Sequence, residues 1–202
     1  MLADKTTLND LSLLYPQEEF SVFHKLDFTQ TQVGKDWLLT FFSDPSSDIE
    51  KIREVQHTLT CIRQNHSQWP SSISNGTIMM LEKFFDSQLD PISSSANWLN
   101  AYNYRFFHAA DFSLTRFSLT HFSDFLKGMK KLEGLYPAEE RNRLNTVSRL
   151  LNRIQHLMDH PVIHRLTSRT DGKSFNPKEV IYYGKFFKDQ YRSPINDLIT
   201  IF

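Results

Sequence analysis

Apolar residues recur along the chain with the three- and four-residue spacing that is typical of α-helices. The first clear stripe follows Thr29, which we expect to cap a helix, and it ends at Ser43-Asp44-Pro45. Its members are Val33, Trp37, Leu38, Phe41 and Phe42. Because these residues occupy more than one face of the helix, we expect the helix to be covered on more than one side.

The clearest amphipathic helix of the sequence follows this stripe. Ser47, with Glu50 three residues later, has the form of a capping box, and Asp48 is itself suited to start a helix. The apolar face consists of Ile52, Val55, Leu59 and Ile62. Polar residues fill the opposite face: Glu50, Lys51, Arg53, Glu54 and His57.

The rest of the pattern also predicts helices, separated by polar linkers. We expect helices over 7–14, 17–26, 78–85, about 111–132, 137–160, from Pro177, and from Ser193-Pro194 to the C-terminus. The linkers are 67–77, 90–95 and 167–176. The helix after Pro137 has a predicted buried stripe of Leu144, Val147, Leu151, Ile154 and Met158. Aromatic side chains between residues 98 and 125 are expected to pack in the core rather than to stack on bases, because few basic residues alternate with them.

The amino-acid composition agrees with an all-α, multi-helix fold. The 202 residues include only 6 Gly and 8 Pro, which argues against the many tight turns of a sandwich, barrel or propeller. A hydrophobic share of 40% with 17 Phe argues against disorder. The apolar pattern continues to Ile201-Phe202, so we expect this chain to be a fragment of a longer protein.

The charge balance and the single cysteine limit the possible partners and compartments. Lys and Arg total 23, as do Asp and Glu, so no overall field attracts nucleic acid or an anionic membrane, and contact with either needs a local patch. No apolar run is long enough to span a bilayer. One cysteine, Cys61, excludes an internal disulfide and suits a reducing compartment. We therefore expect a cytoplasmic protein with no membrane partner.

The region from residue 26 to residue 62 contains a recognisable pattern. It consists of Leu26, Thr29, Thr31, Gly34, Leu38, Pro45, Asp48, Ile52, Gln56 and Leu59. This pattern resembles the start of the core domain, the third and helical lever domain, of the MutS family of DNA mismatch-repair proteins. The sequence departs from the family at Val55, where Arg is usual, and at Asp36-Trp37, where a basic residue and Leu are common. These departures indicate a divergent branch.

The resemblance implies a fold and an architectural role. In the family, the core domain connects the DNA-binding clamp to the ATPase through long lever helices. Residues 1–202 would then form a single core module that ends just before a C-terminal ATPase domain. The expected partner is DNA, bound through the full-length protein, and a homodimer is possible for the family. ATP and Mg²⁺ would belong to the missing ATPase domain, so the fragment itself is expected to be non-catalytic and to hold no cofactor or metal.

Two absences refine this expectation. The core pattern begins within the first thirty residues, so, if Met1 is the native start, we expect a protein without the mismatch-reading domain and its Phe-x-Glu wedge, similar to short MutS-like proteins that begin with the core. The segment Gly172-Lys173-Ser174 is similar to the end of a P-loop, but Thr167 stands where the first glycine is required and no strand is predicted before it. We therefore reject a nucleotide site in this chain.

A run of arginines offers the best candidate for DNA contact. Arg141 and Arg143 precede Arg149 and Arg153, and the last two lie one turn apart, away from the apolar stripe of their helix. Such cations could neutralise a few DNA phosphates. The alternative is an ordinary solvated helix face.

Two further clusters of side chains are weaker candidates for a chemical role. His156, His160 and His164 have the four-residue spacing of metal ligands on one helix face, but Pro161 interrupts that helix. His57 and Cys61 lie one turn apart, and buried packing of the thiol is the alternative to a catalytic dyad. Beside the MutS-like hypothesis, a helical protein-interaction scaffold unrelated to DNA repair and a histidine-metal hydrolase therefore remain as alternatives.

Overall fold

The computed structural model describes residues 11, 13–14, 20–29, 31–89, 97–136, 145–169 and 174–199. Every regular element in these ranges is a helix, which confirms the all-α prediction, while a MutS-type arrangement of the helices stays a prediction. The chain divides into two compact units, 1–64 with 200–202 and 65–199. That residues 1–202 act as a single core module also stays a prediction.

The first unit contains three described helices. They are α1 (Val22–Leu26), α2 (Gln32–Ser43) and α3 (Ile49–Gln64). Helix α1 begins later than the predicted residue 17 because Ser21 caps it, its hydroxyl accepting from the N–H of His24 at 3.0 Å. Residues 17–19 and most of the predicted helix 7–14 lie outside the described residues.

The caps of α2 and α3 differ from two predictions. Thr31, not Thr29, caps α2, and its hydroxyl accepts from the N–H of Gly34 at 3.0 Å. Asp48, not Ser47, caps α3, because its carboxylate accepts from the N–H groups of Glu50 at 2.9 Å and Lys51 at 3.4 Å. In both places neighbouring residues had suitable oxygen atoms, and the local backbone decided which one reaches the helix end.

The helices of the first unit expose most of their apolar residues. Helix α2 has no buried residue, so the prediction that it is covered on more than one side is wrong. Trp37 is 60% exposed and stacks on Phe41 with ring centroids 5.4 Å apart. The buried residue of α3 is Cys61, whereas Leu59 of its predicted apolar face is exposed. An apolar stripe shows which face can be buried, but another element must still cover it.

The second unit contains seven described α-helices. They are α4 (Asn75–Asp86), α5 (Trp98–Phe107), α6 (Ala109–Gly134), α7 (Asn145–Met158), α8 (Pro161–Thr167), α9 (Pro177–Gln190) and α10 (Arg192–Ile199). A short 3₁₀ turn, His66–Gln68, precedes them. The linker 90–95 and residues 137–144 at the predicted start of α7 lie outside the described residues.

Helix α6 forms the centre of this unit. Its 26 residues correspond to about 39 Å at a rise of about 1.5 Å per residue. Helices α4, α5, α7, α8 and α9 all pack against it. Phe122 of α6 stacks on Phe187 of α9 with ring centroids 4.2 Å apart, and it meets Phe84 and Phe85 of α4 edge to face. These buried rings form the core of the unit.

The remaining helices agree with the sequence pattern in most respects. Val147, Leu151 and Ile154 of α7 are buried as predicted; Leu157 is buried instead of Met158, which is half-buried. Helix α9 begins at Pro177 with a capping box between Asn176 and Glu179. Helix α10 begins at Arg192, slightly before the predicted start. The short helix α8 was not predicted and lies between the predicted helix 137–160 and the predicted linker 167–176, because Pro161 starts a new helix after ending the previous one.

Candidate functional site

Arg149 and Arg153 lie one turn apart on α7 and are both exposed. The buried residues of the same helix, Val147, Leu151 and Ile154, hold it against α6 and α10. The two guanidinium groups are therefore placed on the outer face of a packed helix, where phosphate contact is geometrically possible. Arg141 and Arg143 lie outside the described residues. The assignment of Arg149 and Arg153 to DNA phosphates stays a prediction.

Two residues of the MutS-like pattern cap helices in the first unit. Thr31 caps α2, Pro45 lies in the connection to α3, and Asp48 caps α3. Thr29 does not cap α2; its hydroxyl donates a hydrogen bond to the Asp27 carboxylate at 2.5 Å. These contacts are structural, and they contain neither a nucleophile nor a phosphate-binding loop.

The Asp27 carboxylate is the centre of a small polar cluster before α2. It accepts from the hydroxyl and the N–H of Thr29, and it pairs with Lys35, whose ammonium lies 3.2 Å away. The hydrogen bond from the Thr29 hydroxyl, more than any other contact, lowers the pKa of Asp27 below its usual value. The cluster fixes the chain between α1 and α2.

His57 and Cys61 approach each other on α3. The Cys61 sulfur lies 3.2 Å from His57 Nδ1 across one helical turn. Cys61 is only 2% exposed, whereas His57 is exposed. A buried thiol offers no approach for a substrate, so this geometry favours packing of the thiol with a polar neighbour over nucleophilic catalysis.

The three spaced histidines do not converge. His160 caps α8, where its Nδ1 accepts from the N–H of Val162 at 3.2 Å, and its ring packs on Phe186. His156 and His164 are exposed on different helices. Within the ranges that the structure describes, no three His, Cys, Asp or Glu side chains come close enough to hold a metal ion. His164 also borders a shallow, open depression beside Asp159 and Arg165.

The rejected P-loop-like segment lies largely outside the described residues, since only Ser174 of Gly172-Lys173-Ser174 is described. The element that precedes it in the described part of the chain is helix α8, not the strand that a P-loop requires.

Aromatic residues of α5 form a surface that the sequence did not predict. The prediction that the aromatic residues between 98 and 125 pack in the core is correct for Tyr104, Phe112, Phe122 and Phe125. It is wrong for Phe117 of α6 and for the other aromatic residues of α5. Five large side chains of α5 are exposed: Trp98, Leu99, Tyr102, Phe106 and Phe107. Lys178 of α9 approaches this surface, with its Nζ 5.6 Å from the centroid of the Trp98 ring. Local sequence could not reveal this cation, because 80 residues separate it from Trp98.

None of the helices in the described ranges combines the length and the apolar character needed to cross a bilayer. Comparisons of the chain with known protein families, curated proteins and solved structures found no match.

Proposed function

We propose that this chain is the helical core module of a cytoplasmic, MutS-like DNA-repair ATPase. One observation supports the proposal above others: Thr31 and Asp48, two members of the MutS-like pattern, cap consecutive helices, with Pro45 between them. The pattern thus coincides with residues that define where these two consecutive helices begin. Residues that stabilise helix ends suit a module that transmits conformational changes between domains rather than one that catalyses a reaction.

The proposed role is to couple DNA engagement to a downstream nucleotide-binding domain. The long helix α6 packs against five neighbours, so a displacement at one end would be transmitted through a continuous packed core. ATP and Mg²⁺ would bind in the ATPase domain of the full-length protein, and this chain would contribute no catalytic group. DNA, and a second copy in the full-length protein, are the proposed partners.

Helix α10 is the proposed connection toward the ATPase. Ile195 and Leu198 are buried, and α10 packs against α4, α7 and α9. A movement of α10 would therefore disturb three helices of the unit at once. Coupling requires that α10 have two arrangements that differ in affinity for ATP and for DNA.

The decisive experiment compares ATPase rates of the full-length protein with and without DNA. Leu198→Asp would place a carboxylate in an apolar environment, so we expect DNA stimulation to be lost while basal ATPase activity remains. Ser193→Asp adds the same charge at an exposed position of α10 and should leave stimulation unchanged. Circular dichroism tests whether both variants remain folded. Equal stimulation of a folded Leu198→Asp protein would exclude α10 as the connection, and a full-length protein without ATPase activity would end the proposal.

The DNA contact is tested separately with the present chain and a duplex oligonucleotide. Replacing both Arg149 and Arg153 by Ala should weaken duplex binding for all sequences alike and flatten the dependence of log K on log salt by up to about 1.8, or about 0.9 per lost phosphate contact. The matched control, Lys51→Ala with Arg63→Ala, removes two exposed cations from α3. If both double variants bind with the affinity of the wild type, α7 does not contact DNA.

A protein-interaction scaffold is the alternative function, and the exposed apolar residues of the first unit favour it. Trp37, Phe41 and Leu59 are exposed by 60%, 38% and 59%. A scaffold would retain its role without an ATPase. The absence of a P-loop domain from the full-length protein, together with loss of a bound protein partner in Trp37→Ser, would support this alternative.

A further inference from the structure

We propose that the exposed aromatic face of α5, together with Lys178 of α9, binds unpaired bases of single-stranded nucleic acid. This site is separate from Arg149 and Arg153, and the MutS-like pattern of the first unit does not include it. The inference therefore goes beyond the proposed function and does not depend on it.

The first argument is the arrangement of the rings. Trp98 and Tyr102 lie one turn apart and stack with ring centroids 5.7 Å apart and an interplanar angle of 24°. They are 50% and 54% exposed, and Phe106, one further turn along α5, is 80% exposed. Ordered rings with accessible surface provide a stacking platform for bases, which bind such platforms with little sequence preference because every base has a π-face.

The second argument is the charge beside the rings. Lys178 Nζ lies 5.6 Å from the centroid of the Trp98 ring. Arg105 is also exposed on α5, and its guanidinium carbon lies 5.9 Å from the centroid of the Phe112 ring of α6. Helix α5 contains no acidic residue. The nearest acidic neighbour of Lys178 in sequence, Glu179, is neutralised because its carboxylate pairs with Arg169 and accepts from the N–H of Asn176. Lys178 thus places beside the platform a cation that can contact phosphates.

The combination favours nucleic acid over a protein partner. Protein interfaces are depleted of lysine in their buried centres, whereas the Lys178 ammonium lies over the Trp98 ring at the start of α5. Stacked aromatic rings with a close cation match the chemistry of a single strand.

The test uses a fluorescently labelled oligo(dT) and anisotropy titration of the present chain at low salt. Trp98→Ala and Tyr102→Ala should each weaken binding about fivefold or more, since alanine substitution of a stacking residue costs about 1–3 kcal/mol per base. Lys178→Ala should flatten the log–log salt slope by about 0.7, and Lys178→Arg should restore it. Because these side chains are substantially exposed or at the surface, the variants should remain folded, which circular dichroism verifies.

Two matched controls distinguish binding at this site from nonspecific binding. Trp37→Ala removes another exposed, stacked tryptophan, and Lys185→Ala removes another cation of α9, which pairs with Asp189. Both should bind oligo(dT) like the wild type. Arg149→Ala with Arg153→Ala should also leave oligo(dT) binding unchanged while it weakens duplex binding, so this proposal and the duplex contact can fail independently.

Three outcomes would overturn the inference. The first is the absence of saturable oligo(dT) binding by the wild-type chain at low salt, and the second is an equal loss of binding in Trp98→Ala and Trp37→Ala. Alternatively, Trp98→Ala leaves oligo(dT) binding unchanged but dissociates a dimer, which would identify the α5 face as a protein interface.

Discussion

The ammonium group of Lys188 on α9 lies 2.8 Å from the carbonyl oxygen of Phe84 near the end of α4, and 5.3 Å from the centroid of the Phe84 ring. The same Nζ also donates to the carbonyl oxygens of Phe85 at 3.0 Å and Ser87 at 2.7 Å. The last carbonyls of a helix lack an intrahelical N–H donor, so Lys188, distant in sequence, satisfies them together with the Ser87 hydroxyl, which also donates to the Phe84 carbonyl oxygen at 2.7 Å. Burial, and after it the charge of Arg192, lowers the pKa of Lys188 below its usual value, while the charge of Asp86 opposes this shift.

Replacing Lys188 by Met should destabilise the second unit. The substitution keeps most of the apolar stem but removes three charge-assisted hydrogen bonds, so we expect the free energy of unfolding to fall by about 2 kcal/mol. Urea denaturation measures the change. Lys185→Met is the matched control, because Lys185 is more exposed and makes a surface pair with Asp189, and it should change stability by less than about 1 kcal/mol. Equal effects of the two variants would contradict the assigned role of Lys188.

Removing the hydroxyls of Thr115 and Ser118 should stabilise the protein. Both side chains on α6 are fully buried, and neither hydroxyl has a hydrogen-bond partner among the described residues. Thr115→Val and Ser118→Ala should each raise the free energy of unfolding by about 1 kcal/mol, because an unsatisfied polar group is costly to bury.

Thr77→Val provides the opposite case for this measurement. Thr77 is also buried, but its hydroxyl donates to the Ser72 carbonyl oxygen at 3.0 Å. This variant should be destabilised in the same denaturation experiment. A loss of stability in Thr115→Val as large as that in Thr77→Val would mean that the Thr115 hydroxyl has a partner.

Gly128 is required where α6 approaches the segment before α4. A Cβ atom at Gly128 would lie 2.6 Å from Cγ1 and 2.8 Å from Cδ1 of Ile73, so Gly128→Ala should destabilise the second unit by about 1–3 kcal/mol. Gly134→Ala, where a Cβ would meet no atom within 4 Å, should be neutral or stabilising. Ile73→Ala should remove most of the penalty of Gly128→Ala in a double-mutant cycle. Additive effects of the two substitutions would exclude this contact as the cause.

Alkaline pH should unfold the protein partly through Tyr183 and Tyr191. Burial raises the pKa of both phenols above the usual value of 10.0. In the unfolded chain these phenols ionise near pH 10, whereas the folded chain retains their protons, so stability is complete below pH 10 and decreases as the pH rises above it. Denaturation between pH 9 and pH 11.5 should show a shallower decrease for Tyr183→Phe with Tyr191→Phe than for the wild type. A steeper or identical decrease would refute the contribution of these phenols.

Local sequence determined the helices and many of their ends. The periodic apolar residues of α6 predict a long helix to about residue 132, and the structure ends it at Gly134. The predicted start of α9 at Pro177 is confirmed, and the structure adds the capping box between Asn176 and Glu179 that stabilises this helix end. Where two suitable caps are neighbours, as at Thr29 and Thr31, the choice depended on backbone geometry that the pattern does not contain.

The tertiary structure alone decided which apolar faces are covered and which distant side chains meet. The stripe of α2 and the aromatic face of α5 have the composition of buried surfaces, yet Trp37 and Trp98 are exposed. Lys178 reaches Trp98 because α9 packs beside α5, and Lys188 of the same helix reaches Phe84 near the end of α4. Helix formation and capping are determined within a few residues of the chain, whereas burial and long-range pairing depend on how separate helices pack, which no local pattern specifies.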